Sequence, residues 1–204
     1  GGHSWPPMSY SPLTGLVYIP AADTRLHVAA GETDMAGELY AWDPVRQRER
    51  WSVEEALPVN SGVLSTAGGL VFAGQGTGEL DAYAAGTGRK SWSLQTGSAI
   101  DAVPITYEVN RQQYVLVPVG YGSGSRLFDR GSNMGTPASK RGPARLLALR
   151  LGGRVRFPLP RVAIPAVPRP PAETFGRAEI AAGRKLYQRF VCWDCHGPAA
   201  DGEG

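Results

Sequence analysis

Cysteine is almost missing from this 204-residue chain: there are two, Cys192 and Cys195. Both fall in one short motif, so no structural disulfide is left over to staple the remainder. Histidine is as scarce, with three residues, and His3 and His27 are isolated in the sequence. The acids are scattered singly, and no pair sits at a spacing that suggests acid–base catalysis. No apolar run reaches the roughly 18 residues that a bilayer-spanning helix requires. No signal peptide opens the chain, but that absence excludes nothing, because the sequence begins Gly1-Gly2 without Met and stops at Gly204, eight residues beyond its cysteine motif. It reads as an internal piece of a longer protein, in which no catalytic centre is complete.

What is abundant is glycine and proline, 27 and 17 residues. Together they form about a fifth of the chain, which favours many tight turns between short strands and hence an all-β body. At 42% hydrophobic and 19% charged residues the composition is that of a globular protein. The formal net charge of +3 conceals an asymmetry: Arg126 to Arg169 holds ten Lys or Arg against one acid, Asp129, and the rest is acidic. Only Phe128 and Phe157 interleave this belt with aromatic rings, a poor match to nucleic-acid binders. It reads as a solvated basic loop and linker.

Three zones follow one another. Residues 1 to about 152 hold β-branched or alternating runs such as Leu16-Val-Tyr-Ile19, Leu70-Val-Phe-Ala73 and Tyr114-Val-Leu-Val117, each bounded by turn residues. Residues 153–173 include six prolines in FPLPRVAIPAVPRPP, an extended spacer. From Thr174 the pattern turns helical, with Gly183, Leu186, Tyr187 and Phe190 at i, i+3, i+4 and i+7. Inside the first zone a repeat places Ala41 and Trp51, and again Ala82 and Trp92, ten residues apart, with starts 41 residues apart. That period suits the four-stranded blade of a β-propeller, in which an aromatic at a fixed place would lock each blade to the next. A chance pair of spacings in an ordinary sandwich is the competing reading. Strands are expected at 63–66, 70–73, 79–83 and 90–94.

The motif Cys192-Trp-Asp-Cys195-His196 is the strongest chemical signal. In C-x-x-C-H both thiols add to the haem vinyl groups and the adjacent histidine ligates the iron. A thioredoxin-like dithiol would need a βα junction, and a zinc site a second ligand pair; neither context is present. Leu186, Tyr187 and Phe190 are expected on the porphyrin side of the helix before it. The sixth iron ligand is not visible, and Met8, Met35 and Met134 read as core or loop residues. Covalent haem attachment takes place outside the cytoplasm, so the motif points to the periplasm.

With these residues in place, the chain resembles the C-terminal part of quinohaemoprotein alcohol dehydrogenases. The resemblance is carried by GGHSWPPMSYSPLTGLVYIPA, GELYAWDPV, SGVLSTAGGLVFAGQGTGELDAYAAGTGRKSW and AVPITYEVNRQQYVLVPVGYG in that order, then Arg145-Leu-Leu-Ala-Leu149, the Pro-rich spacer and the haem motif. It implies the last blades of an eight-bladed propeller (1–152), a linker (153–173) and the incomplete start of a helical cytochrome c domain (174–204). Implied cofactors are covalent haem c at Cys192, Cys195 and His196, and pyrroloquinoline quinone with Ser4, Trp5 and Val63 among its contacts. Ser4 stands where the family has an asparagine, and a hydroxyl offers fewer donors than an amide. Calcium and its ligands, like the catalytic acid, are expected upstream of Gly1. Ala22 to Gly37 is shorter than the family's region, Ala84 replaces the usual Asp of the blade repeat, and Arg46-Gln47 replaces its Thr-Gly.

The implied activity of the intact protein is oxidation of a small alcohol, with electrons passing by way of quinone and haem to an external acceptor, a cytochrome, copper protein or membrane quinone. Association with a membrane is left open. The segment alone is expected to be inactive. The rival reading is a non-catalytic propeller scaffold joined to an electron-carrying cytochrome domain.

Overall fold

The structure, a computed structural model, describes residues 2–27, 32–56, 61–120, 142–154 and 175–196. The chain divides into two compact units, residues 1–162 and 163–204. In the first unit, short apolar runs closed by turn residues form three antiparallel sheets. Strands β1 (Ser9–Ser11), β2 (Leu16–His27), β3 (Glu32–Asp43) and β4 (Arg48–Glu55) make the first sheet in chain order. Strands β5 (Val63–Ser65), β6 (Leu70–Gly74), β7 (Glu79–Ala84) and β8 (Lys90–Gln95) make the second. Strands β9 (Ile105–Val109), β10 (Gln112–Val119) and β11 (Arg145–Leu149) make the third, with β10 in the middle.

The repeat seen in the sequence is the same piece of architecture built twice. Ala41 pairs directly with Trp51 across β3 and β4, and Ala82 with Trp92 across β7 and β8. A bulge follows each alanine, between Ala41 and Trp42 and between Ala82 and Tyr83. A bulge adds local twist, and its recurrence at one place shows both sheets bent alike. The two connecting turns reach the same geometry by different chemistry. In the first, Asp43 Oδ1 accepts from the N–H groups of Val45 and Arg46 at 3.1 and 2.9 Å, and the Arg46 backbone bond is the leading reason that the carboxyl lies below its ordinary range. In the second, Ala84 has no such acceptor, and its carbonyl takes Thr87 N–H and Gly88 N–H at 3.1 and 2.9 Å. Gln47 and Gly88, 41 residues apart, both have positive φ, +50° and +72°.

The strand alternation sends opposite faces of the second sheet to two cores. Val71, Ala73 and Tyr83 join Leu16, Tyr18, Leu39, Ala41, Trp51 and Val63 between the first and second sheets. Phe72 and Leu80 join Ile100, Val115, Val117, Val119, Leu147 and Leu149 toward the third. Trp51 is the pin of the first core: only 9% exposed, its Nε1–H donates to the Ala85 carbonyl at 3.0 Å, and its ring lies 5.7 Å from that of Tyr18. Gly88 makes room for it, since a Cβ there would fall 2.7 Å from the indole. Trp92, its repeat counterpart, keeps 44% of its surface exposed.

Ala22–His27 and Glu32–Gly37 form the outer arms of β2 and β3, paired out to His27 and Glu32. The β9–β10 hairpin turns on Asn110 and Arg111, both at positive φ, as a two-residue reversal between twisted strands requires. In the second unit the expected helix is α1 (Arg177–Arg189), followed by the short α2 (Trp193–His196). Glu179 accepts from the Gly176 N–H at 2.7 Å and closes its N-terminus. Among the described residues no helix is long and apolar enough to cross a membrane. The Pro-rich spacer lies outside the described residues apart from 153 and 154, and of the basic belt only 142–154 is described.

Candidate functional site

The sequence singles out two places, and the structure shows how each is held. At the first, the chain from Gly2 to Ser11 is fastened at both ends. Gly2 exchanges both backbone hydrogen bonds with Ala22, at 2.7 and 3.1 Å. Further on, Ser65 N–H donates to Ser9 Oγ at 2.9 Å, and the two serine hydroxyls meet at 2.6 Å. These bonds set the edge strands of the first two sheets side by side. Between the fastenings His3 Nδ1 lies 2.8 Å from the Pro20 carbonyl.

Trp5 leaves half its surface exposed (50%), and Ser4 is exposed beside it. Val63 behaves differently. Its side chain is buried to 2% within the core of the first two sheets, and its N–H donates to the Pro7 carbonyl at 3.0 Å. Thus the side chains of Ser4 and Trp5 are open at the surface, whereas Val63 through its backbone anchors the loop that carries them. Gly62 lets the strand approach so closely: its φ is +74°, and a Cβ would lie 2.6 Å from Pro7 Cδ. Gly62→Ala is therefore expected to cost at least about 1–2 kcal/mol for the left-handed backbone alone, before any clash with Pro7. Urea denaturation of the full-length variant checks this.

The second place is the cysteine motif. Cys192 is a free, partly exposed thiol just past α1, and His196 is exposed one helical turn on. His196 N–H donates to the Cys192 carbonyl at 3.0 Å, so both residues occupy one turn, as covalent attachment and ligation by neighbouring residues require. Of Cys195 only the backbone, within α2, is described. Phe175, Ile180, Leu186, Phe190 and Val191 are all exposed, and no residue of α1 is buried. An apolar helix flank next to a thiol and an imidazole suits a large planar apolar group. No group of three or more His, Cys, Asp or Glu side chains able to hold a metal ion occurs among the described residues. Met8 is exposed, the side chain of Met35 is not described, and Met134 lies outside the described residues.

Sequence reasoning missed a third constellation. The acids that look solitary in the sequence are brought together at the seam of the first two sheets. Glu55 at the end of β4 and Asp81 on β7 both contact the Tyr83 hydroxyl, and Lys90 Nζ donates to Asp81 at 2.7 Å. The only local signal was an acid at an inward position of an otherwise apolar strand.

Comparison with known proteins follows the same geography. The PQQ family, described as glucose/ethanol/alcohol dehydrogenase, β-propeller domain, matches residues 33–115. Lupanine 17-hydroxylase [cytochrome c] of a Pseudomonas species is 42% identical over 99% of this chain and 31% of its own length. Quinohemoprotein alcohol dehydrogenase ADH-IIG of Pseudomonas putida is 38% identical over 97% of this chain and 31% of its own. The chain thus spans about a third of the length of the curated relatives it matches. Among solved structures, that of the P. putida ADHIIG enzyme superposes with a TM-score of 0.74 at 36% identity, covering all of this chain and 34% of the other. The quinohemoprotein alcohol dehydrogenase of Comamonas testosteroni gives 0.70 at 32% identity, over 97% of this chain and 32% of the other. The stacked four-stranded sheets are accordingly part of a PQQ-type β-propeller domain, and the chain is a homologue of the quinohaemoprotein alcohol dehydrogenases.

Proposed function

We propose that the intact protein oxidises a small alcohol with pyrroloquinoline quinone as first electron acceptor and a covalent c-type haem as relay to an external acceptor, in the periplasm. The observation that supports this best is likeness to quinohaemoprotein alcohol dehydrogenases along nearly the whole chain, through propeller strands and haem motif alike. A propeller that had become a mere scaffold would have no need of an exposed tryptophan on a loop pinned at both ends. In this reading residues 1–152 belong to the propeller, 153–173 link, and 174–204 belong to the cytochrome domain.

The residues present fit both groups. Half-exposed Trp5 offers an indole face on which a planar quinone would stack, Ser4 a hydroxyl for hydrogen bonding, and Val63, through its bond to Pro7, the fixed position of that loop. Cys192 and Cys195 would hold the haem by thioether bonds and His196 would ligate its iron, with the apolar flank of α1 against the macrocycle. When bound, the quinone supplies a two-electron acceptor and the haem a one-electron carrier. What this chain contributes is position: the bonds at Gly2, Pro7 and Ser9 keep Trp5 from moving with the loop. Calcium would be held by residues outside this sequence.

The test is an alcohol titration of the full-length protein, expressed with haem maturation and supplied with quinone and calcium, while haem absorbance is followed. Primary alcohols should reduce the haem. Lupanine belongs in the panel, because a relative that is 42% identical over 99% of this chain is named for hydroxylating it. Quinone bound without haem reduction by any substrate in the panel would overturn the proposal.

A further inference from the structure

The edge of the first sheet carries more chain than β2 can pair, and the surplus is the loop that bears Trp5. Ser9 is in register with Tyr18 and Gly2 with Ala22, so six edge residues, 3–8, face three on β2, 19–21. The extra chain leaves the ladder. Where it leaves, β2 turns one acceptor to the open edge. Ala22 exchanges both backbone hydrogen bonds with Gly2, and by the alternation of an antiparallel strand Pro20, two residues back, points its carbonyl to the same side. As a proline it leaves no N–H unpaired there, and Pro6 and Pro7 on the departing chain have no N–H to offer it. The donor that reaches the Pro20 carbonyl is a side chain, His3 Nδ1 at 2.8 Å. A carbonyl only accepts, so Nδ1 carries the hydrogen.

What this bond fixes follows from what is already stiff. After Trp5 the chain has little freedom: Pro6 is buried with its φ set by the ring, and the Pro7 carbonyl is held by the Val63 N–H at 3.0 Å. Trp5 itself precedes a proline, which confines its backbone to extended conformations. The freedom that remains lies before it, at His3 and Ser4, between Trp5 and the Gly2–Ala22 pair. The imidazole closes that gap. It ties the loop to β2 of the first sheet as Pro7 ties it to β5 of the second, so Trp5 is held from both sheets. We propose that His3 is the positioning residue of the Trp5 loop, its Nδ1–H standing in for the backbone bond missing at Pro20 and keeping Ser4 and Trp5 in place before a planar quinone arrives. The ligand half of this rests on Trp5 being a quinone contact, as proposed for the intact protein.

Positioning of this kind predicts where a loss appears. Without the bond, the quinone must order Ser4 and Trp5 as it binds, and that cost comes out of its affinity. The effect is the size of one net hydrogen bond, about two- to tenfold in dissociation constant. His3 is exposed and belongs to neither apolar core, so its removal opens the loop locally and leaves the stacked sheets closed.

The test compares His3→Leu, which keeps bulk and loses the donor, with His3→Asn, whose side-chain amide places an N–H close to where Nδ1 stands. Both are made in the full-length, haem-matured protein. Hydrogen exchange of the quinone-free protein, read by mass spectrometry, should show the Ser4 and Trp5 amides exchanging faster in His3→Leu and near the wild-type rate in His3→Asn, with the Val63 amide protected in all three. Equilibrium dialysis of pyrroloquinoline quinone with calcium should show affinity about two- to tenfold weaker for His3→Leu and restored in His3→Asn. Wild-type exchange and affinity in His3→Leu would overturn the proposal, as would equal losses in both variants, since the Nδ1–H bond is then not the cause. A wild type that binds no quinone would instead fail the quinone reading of Trp5, and the exchange rates would still decide whether His3 holds the loop.

Discussion

Trp51→Ala should destabilise the propeller by about 3–5 kcal/mol, the range for truncating a large buried aromatic, and Trp92→Ala by far less. The two tryptophans share a repeat position, each opposite an alanine in the neighbouring strand, so the contrast isolates what lies in front of the ring. For Trp51 that is the second sheet, with the Ala85 carbonyl accepting its N–H and the bare Cα of Gly88 beneath the ring. Removing the indole leaves a cavity, and the carbonyl falls back on the Tyr18 hydroxyl, which donates to the same atom at 3.0 Å. Trp51→Phe, which fills most of the space but lacks the donor, should fall between wild type and alanine, with about 1 kcal/mol of its loss from the hydrogen bond. Urea denaturation of the three full-length variants measures all of this. Equal losses at Trp51 and Trp92 would refute the docking role assigned to the first.

Cys192→Ser combined with Cys195→Ser should abolish covalent haem, and with it haem reduction by alcohol, while alcohol oxidation with an artificial acceptor survives. The reason is local. The thiol of Cys192 is partly exposed just past α1, in a compact unit separate from the one that holds the propeller strands. The loss should therefore appear in haem-stained denaturing gels and in the visible spectrum without a change in the far-ultraviolet dichroism of the propeller. His196→Ala should differ in kind: haem stays attached through its thioethers, and the spectrum changes because the iron loses a ligand. Covalent haem persisting in the double variant would remove the role given to the motif.

How far the sequence carried this account depends on the range over which each feature is encoded. The strands at 63–66, 70–73, 79–83 and 90–94 and the helix after Thr174 all rest on alternation, helical spacing and turn residues within a dozen positions, the 41-residue period on two such segments, and the strand at 145–149 on the family resemblance. The structure has strands at Val63–Ser65, Leu70–Gly74, Glu79–Ala84, Lys90–Gln95 and Arg145–Leu149, and a helix from Arg177. The degenerate turn at Arg46-Gln47 was legible as a departure. That Gln47 would nonetheless adopt the left-handed backbone of Gly88 was not, because the sheet around it imposes that conformation against the residue's own preference.

The candidate site divides in the same way. C-x-x-C-H is a local chemical statement, since two thiols and an imidazole within five residues would meet one macrocycle with little help from the rest of the fold. That Trp5 is exposed, and that Val63 is buried and donates its N–H to the Pro7 carbonyl, depends on Gly62 bringing β5 against a loop more than fifty residues earlier. Glu55 and Tyr83 are 28 residues apart and in different sheets, and nothing in their flanking sequence marks them as partners. By itself the sequence determined the strands, the repeat and the C-x-x-C-H spacing, because short-range periodicity and spacing suffice for each. Only the tertiary structure decided that Trp51 docks while its repeat counterpart stays half open, and that two acids meet at one phenol, because stacking one sheet on another selects neighbours by geometry across distances that local patterns do not record.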